Sequence, residues 1–217
     1  MSQFIFKWPT KASYASEDFI VSPSNETAVR FIDSWPEDER MTALLSGPEA
    51  SGKTHLAQRW AMRVGALMLD KASLGKIPSE EVWTDASYGV LEDIESIRDE
   101  AALFHLLRHA ELHGLALLLT ARSDAKQLGF TLPDLRSRLL ALPVAELFPP
   151  DEIALMGFLM KYFSDHQLRV GEDVISYMAK RMERSFASAL EMAEKIARSS
   201  IEAKREITIP FVRSLLQ

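Results

Sequence analysis

Gly47-Pro48-Glu49-Ala50-Ser51-Gly52-Lys53-Thr54 is the stretch on which the reading of this chain turns. It fits the spacing G-x-x-x-x-G-K-[ST] in full, a match that arises by chance in about 1% of chains this long at average composition. Its surroundings are those the motif needs. Met41–Ser46 is a short apolar run of the kind a buried strand shows, and Thr54–Val64 carries apolar residues at helical spacing. A loop between the two turns successive backbone N–H groups, and the start of the helix, toward one point, which suits a phosphate. Gly47 and Gly52 let the backbone come close. In such a loop Lys53 reaches the β- and γ-phosphates as a point charge and the Thr54 hydroxyl ligates Mg²⁺. The motif predicts a nucleotide-binding loop.

The rest of the first 147 residues supplies what such a loop sits on. Ser22-Pro23-Ser24-Asn25 reads as a turn that caps a helix over Glu26–Ser34. Further strands are predicted at Ala66–Leu69, Tyr88–Leu91, Leu115–Thr120 and Leu140–Val144, with a helix over Asp99–His113 that Gly114 stops. Strands alternating with helices imply a parallel sheet covered on both faces. Glu92 and Asp93 follow the Tyr88–Leu91 strand directly; one carboxylate would hold the Mg²⁺ shell and the other orient an attacking water. Thr120 and Arg122 fall at the carboxyl end of the Leu115–Thr120 strand, the edge at which open α/β sheets bind ligands. Arg136 and Arg138 form a second basic pair, suited to phosphate recognition by their planar forks.

The pattern changes at Phe148-Pro149-Pro150. Beyond it, apolar residues recur at helical spacing through Ile153–Phe163, Val174–Met182 and Ser188–Ile201, with almost no strand signal until a β-branched patch at Ile207–Ile209. This predicts a three- or four-helix second domain with too thin a core to stand alone. Lys180–Arg184 is read there as a basic helix start facing the nucleotide cleft. His105, His109 and His113 lie at i, i+4 and i+8, a spacing that could ligate zinc. Phe104, Leu106, Leu107 and Ala110 define the buried face of that helix, however, and leave the histidines outward without a carboxylate to complete a metal site.

The composition narrows the function classes. Of 217 residues, 47% are apolar and none is cysteine, which removes disulfides, cysteine-ligated zinc and thiol nucleophiles. The longest apolar run, near Leu115–Leu119, falls far short of the ~20 residues of a membrane span, and the N-terminus does not read as a signal peptide. A cytoplasmic setting is expected. The net charge of −6 argues against direct sequence-specific binding of DNA.

Taken in order, Ser16–Asn25, the phosphate loop, the acid pair within Val90–Ile94, Leu117–Arg122 and the arginines of Leu135–Leu139 resemble the AAA+ domain of the bacterial replication initiator DnaA. The likeness runs from about Phe19 to Leu216. It is nearest to the short DnaA homologues of the Hda family, which lack the initiator's C-terminal DNA-binding domain. The resemblance implies an α/β fold: a P-loop AAA+ parallel-sheet domain over residues 1–147, then a small all-helical lid domain over 148–217. It also implies a regulator that binds ATP or ADP with Mg²⁺ and, together with the DNA-loaded sliding clamp, stimulates ATP hydrolysis on DnaA.

Carried over residue by residue, Val21 and Asn25 would lie on the adenine side, with Gly47, Ser51, Gly52, Lys53, Thr54 and His55 around the phosphates. Thr54 and Glu92 would hold Mg²⁺ through the nucleotide, and Glu92 and Asp93 would form the catalytic acid pair. Arg184 matches the lid arginine called sensor 2, and Arg138 the arginine finger that points at a neighbouring subunit's nucleotide. Gln3-Phe4-Ile5-Phe6, within the N-terminal segment 1–12, resembles a clamp-binding peptide. Assembly with a second copy is compatible with this reading. Two departures, Glu92 in place of the family's Asp and Arg122 where its sensor 1 stretch has Asp, imply slow intrinsic turnover. A helicase-loader-type AAA+ ATPase is the alternative, followed by a small-molecule P-loop kinase.

Overall fold

All four strand pairings in the sheet are parallel, so each crossover must carry a helix over one face. The computed structural model describes residues 19–36, 41–83 and 85–216. Gln3–Phe6 and the rest of segment 1–12 fall outside them. The chain runs α1 (Glu26–Ser34), β1 (Thr42–Ser46), α2 (Lys53–Val64), β2 (Leu67–Met68), α3 (Ser79–Trp83), β3 (Tyr88–Leu91), α4 (Glu100–His113), β4 (Ala116–Ala121), α5 (Pro133–Ala141) and β5 (Val144–Glu146). The helices α6 (Glu152–Asp165), α7 (Glu172–Ala179), α8 (Phe186–Ala203) and α9 (Ile209–Leu215) follow. The sheet order is β2-β3-β4-β1-β5, which inserts β4 between the strand ending in the phosphate loop and the strand ending in the acid pair.

The two-residue period of the strands sorts their side chains into two cores. Leu44, Leu117 and Leu119 face α4 and α5, where Leu103, Leu106, Leu107, Leu135 and Leu139 close one core around Trp83. Ala43, Leu45, Ala116 and Leu118 face the other way, onto Ala28, Val29 and Ile32 of α1 and Leu56, Ala57 and Trp60 of α2. A third core, built from Leu155, Leu159, Phe163, Ile175, Met178, Ala193, Ile196, Phe211 and Val212, belongs to the four C-terminal helices. Fully burying each such leucine or isoleucine contributes ~1.5–3 kcal/mol. No helix among the described residues is long and apolar enough to cross a membrane.

Three local expectations change. Leu140 and Ala141 end α5 instead of opening a strand, and β5 starts only at Val144. Pro133, fitting the first helical turn, with Leu135 and Leu139 buried at i and i+4, makes Pro133–Ala141 a helix. Lys180–Arg184 is a turn rather than a helix start; α8 begins at Phe186, where the Ser185 side chain accepts the Ser188 N–H. Of the β-branched patch, Ile207 bridges Val170, but Thr208 caps α9 and Ile209 is already helical.

Candidate functional site

The carboxyl ends of β1, β4 and β3 lie side by side, and from them come the phosphate loop, Thr120 with Arg122, and Glu92 with Asp93. The loop is anchored on both sides: the Gly47 N–H donates to the Ala121 carbonyl at 3.2 Å, and the Leu147 N–H to the Ser46 carbonyl at 2.8 Å. Gly47 is required by contact, since a Cβ there would stand 2.5 Å from the Leu147 carbonyl oxygen. Gly52 is required by conformation, with φ +97°. Like every helix, α2 starts with N–H groups that have no intrahelical acceptor.

Lys53 is buried, and its Nζ donates to the loop's own Gly47 and Pro48 carbonyls, 2.7 Å to each. Burial pulls its pKa below the usual lysine value, and Arg122 adds to this. The nearby carboxylates of Asp93, Glu95 and Glu49 act in the opposite direction. Ser51 Oγ is buried at the centre of the loop without a hydrogen-bond partner. An ammonium held inside a ring of backbone, beside an unsatisfied hydroxyl and a helix start, is a cradle for an anion.

The acid pair is split in its roles. Glu92 Oε1 is buried with no hydrogen-bond partner, as a group reserved for a ligand would be. Asp93 sits at φ +50°, a conformation that Asp tolerates better than most residues. Its N–H donates to the buried Thr120 Oγ1 at 3.0 Å, and its carboxylate lies 3.6 Å from Lys71 Nζ. Thr54 is exposed at the first turn of α2. Glu92 and Thr54, a carboxylate and a hydroxyl, are a hard oxygen donor set that fits Mg²⁺ held through a nucleotide.

The segment 19–25 crosses between the sheet and the helical part. Phe19 packs edge-on to His55 at 5.2 Å and lies under the Arg59 guanidinium at 5.8 Å. Ile20 fills the notch at Gly157 of α6, where a Cβ would stand 3.0 Å from its Cγ2. Asn25 is consumed within the turn: its Oδ1 accepts the Ser22 N–H and its Nδ2 donates to the Ile20 carbonyl, both at 2.9 Å. Val21 is half exposed. Asp151, the N-cap of α6, ties this segment to the helices by accepting both the Ala154 N–H and the Ser24 N–H.

From the helical side, the Phe186 N–H donates to the Ala50 carbonyl at 3.2 Å, and its ring would lie 3.6 Å from a Cβ at Gly52. Arg184, two residues earlier, is exposed and makes no ion pair among the described residues. Arg138 is set apart from these groups. It lies in the last turn of α5, where it pairs with Glu111 of α4 and sits 5.3 Å over the Phe104 ring. The three histidines are elsewhere, lining a surface cavity with Leu74 and Ile77, and the rings of His109 and His113 lie 4.3 Å apart, tilted by 37°.

Two residues of the site escaped sequence reading. Glu95 accepts the Arg122 N–H, and Glu49, inside the motif at a freely variable position, pairs with the Arg122 side chain. Only the strand order, which sets β4 between β1 and β3, brings them together.

Residues 156–216 match the family described as the Hda lid domain. Domain III of the Thermotoga maritima replication initiation protein DnaA superposes with a TM-score of 0.80 at 19% identity, over 96% of this chain and 98% of that one. This chain has the fold of DnaA domain III, and its C-terminal part matches the Hda lid. AMPPCP-bound DnaA from Aquifex aeolicus is similar at 16% identity and a TM-score of 0.73, over 87% of this chain and 66% of that chain. The Thermotoga maritima RuvB Holliday junction branch migration motor shares the fold at the same identity and TM-score, over 94% and 71%. The part that matches the Hda lid runs from within α6 through α9, and Phe186 and Ile20 are where these helices meet the Gly47–Thr54 loop and the 19–25 segment.

Proposed function

We propose that this chain is an adenine-nucleotide-binding regulator of replication initiation, which stimulates ATP hydrolysis on DnaA together with the DNA-loaded sliding clamp. The observation that carries the reading is the Hda lid match on a DnaA-like AAA+ fold. The buried Lys53 and unsatisfied Ser51 favour phosphate as the ligand of the loop. In this reading Gly47, Ser51, Gly52, Lys53, Thr54 and His55 surround the phosphates, and Val21 and Asn25 belong to the base side. Arg184 reaches the nucleotide from the lid. Mg²⁺, held by Thr54 and Glu92, neutralises phosphate charge when bound.

Arg138 is the residue proposed to act on a neighbour. Its contacts are with Glu111 and Phe104, away from this chain's own phosphate loop, so its guanidinium is available to a docked subunit at the cost of one surface ion pair. An arginine supplied in trans is worth ~10³–10⁵ in rate in other nucleotide hydrolases. Gln3–Phe6 is the proposed clamp-binding peptide, and the cytoplasm the proposed setting. Glu92 and Asp93 give the chain at most slow turnover of its own.

The test is single-turnover hydrolysis of radiolabelled ATP bound to DnaA, with DNA-loaded clamp, in the presence of wild-type chain or Arg138→Ala. The wild type is expected to accelerate hydrolysis and Arg138→Ala to lose the acceleration while keeping its fold and nucleotide affinity. Equal acceleration by the two proteins would remove Arg138 from the mechanism. No acceleration by the wild type, with nucleotide still bound, would favour the helicase-loader alternative.

A further inference from the structure

Two cations at the mouth of the phosphate loop, Lys53 and Arg122, are already engaged by the protein. Lys53 is turned onto the Gly47 and Pro48 carbonyls. Arg122, leaving the end of β4, spans the gap between the loop and the segment after β3: its Nη1 lies 3.0 Å from Glu49 Oε2, and its Nε 3.4 Å from Glu95 Oε1. The Arg122 backbone N–H donates to the same Glu95 oxygen at 3.2 Å, which fixes the base of the side chain. Glu49 is the most exposed of the three, and it sits inside the loop whose backbone would surround a phosphate.

A carboxylate on a guanidinium has the charge sign and the planar two-oxygen face that a phosphate would offer to the same group. We infer that Glu49 is an internal anion that occupies Arg122 in place of a nucleotide phosphate, so that Glu49, Arg122 and Glu95 form a clasp which an incoming polyphosphate must open. The inference rests on the nucleotide-binding reading of the loop. Glu95, held at both the backbone and the side chain of Arg122, is the fixed end of the clasp. Glu49, held by one contact and 77% exposed, is the end that releases. On release Arg122 stays tethered by Glu95 beside the loop, where its charge adds to that of Lys53. Glu49 would thus set affinity without touching the bound nucleotide.

Exposed pairs of this kind contribute little each, so the effect is modest and salt-sensitive. Full-length wild type, Glu49→Gln, Arg122→Ala and the double variant are titrated calorimetrically with Mg-ADP and Mg-AMPPCP at low and high salt. Glu49→Gln is expected to tighten binding up to about fivefold at low salt and less at high salt. In the Arg122→Ala background the same change is expected to have an effect below about 1.5-fold, because the competitor has nothing left to occupy. An equal gain in both backgrounds would mean general charge repulsion by Glu49 and would overturn the clasp, as would a loss of affinity in Glu49→Gln. A folded wild type that binds neither nucleotide would overturn the nucleotide reading itself and the clasp with it. That result is read from the wild type alone.

Discussion

Two glycines with positive φ stand at opposite ends of α2, and replacing each by alanine separates conformational strain from function. Gly52, before the helix, has φ +97°; Gly65, after it, has φ +71°. A Cβ at Gly65 meets nothing within 4 Å, whereas one at Gly52 enters the gap between the loop and the rings of Phe186 and Phe19, at 3.6 and 3.8 Å. These are ordinary contacts, so neither substitution clashes, and both are charged only the left-handed backbone, about 1–2 kcal/mol. Loss of unfolded-state freedom returns ~0.4–1 kcal/mol, for a net cost of at most about 1.6 kcal/mol. At ~2–4 °C per kcal/mol for a chain of this size, thermal denaturation followed by circular dichroism should show both melting lower by no more than about 6 °C. Calorimetric titration with Mg-ADP should separate them. Gly65→Ala keeps wild-type affinity, while Gly52→Ala loses about tenfold or more, because its methyl group takes the space through which the loop's N–H groups are reached. Equal affinities for the two variants would refute the placement of the phosphate site at this loop.

Two further expectations concern titrating groups. Burial alone would raise the Asp151 carboxyl, but hydrogen bonds from the Ala154 and Ser24 N–H groups and the Ser22 hydroxyl outweigh it and leave its pKa below 3.8. Its contribution is therefore complete above that pH and is lost as pH falls through the lowered value. Asp151→Ala should cost ~1–2 kcal/mol in urea denaturation at neutral pH, and the gap to wild type should close under acid. A gap that stays constant with pH would exclude the carboxylate as its source. Lys53 titrates below 10.5 in the folded chain because it is buried, so the unfolded chain holds that proton more tightly. Wild-type stability should rise from this group as pH climbs through the lowered value toward 10.5, and Lys53→Met should remove that rise along with nucleotide binding. An unchanged alkaline slope in the variant would contradict the buried, charged placement.

What could be read in advance followed physical range. Glu26–Ser34 and Tyr88–Leu91 were legible to the residue, because a helix stripe and an apolar run ahead of two acids are local patterns. The strand, loop and helix around Gly47–Thr54 were legible for the same reason, their pattern being written in consecutive residues. Lys180–Arg184 was misread because charge alone does not say where a helix begins; Ser185, whose side chain caps it, does. Leu140–Val144 was misread because an apolar run at a helix end looks like a strand start until the i, i+4 burial of Leu135 and Leu139 is known.

The same division runs through the site. The sequence by itself determined the loop, the acid pair, the parallel sheet and the change to helices after Phe148, since each depends on neighbours a few residues apart. Tertiary structure decided which side chains meet across the strand ends. It set Arg122 between Glu49 and Glu95, 73 and 27 residues away, and put Arg138 on Glu111. It also laid Phe186 of the lid on the phosphate loop. Such pairs are fixed by strand order and by the packing of helices on two faces of the sheet, and no local pattern encodes them.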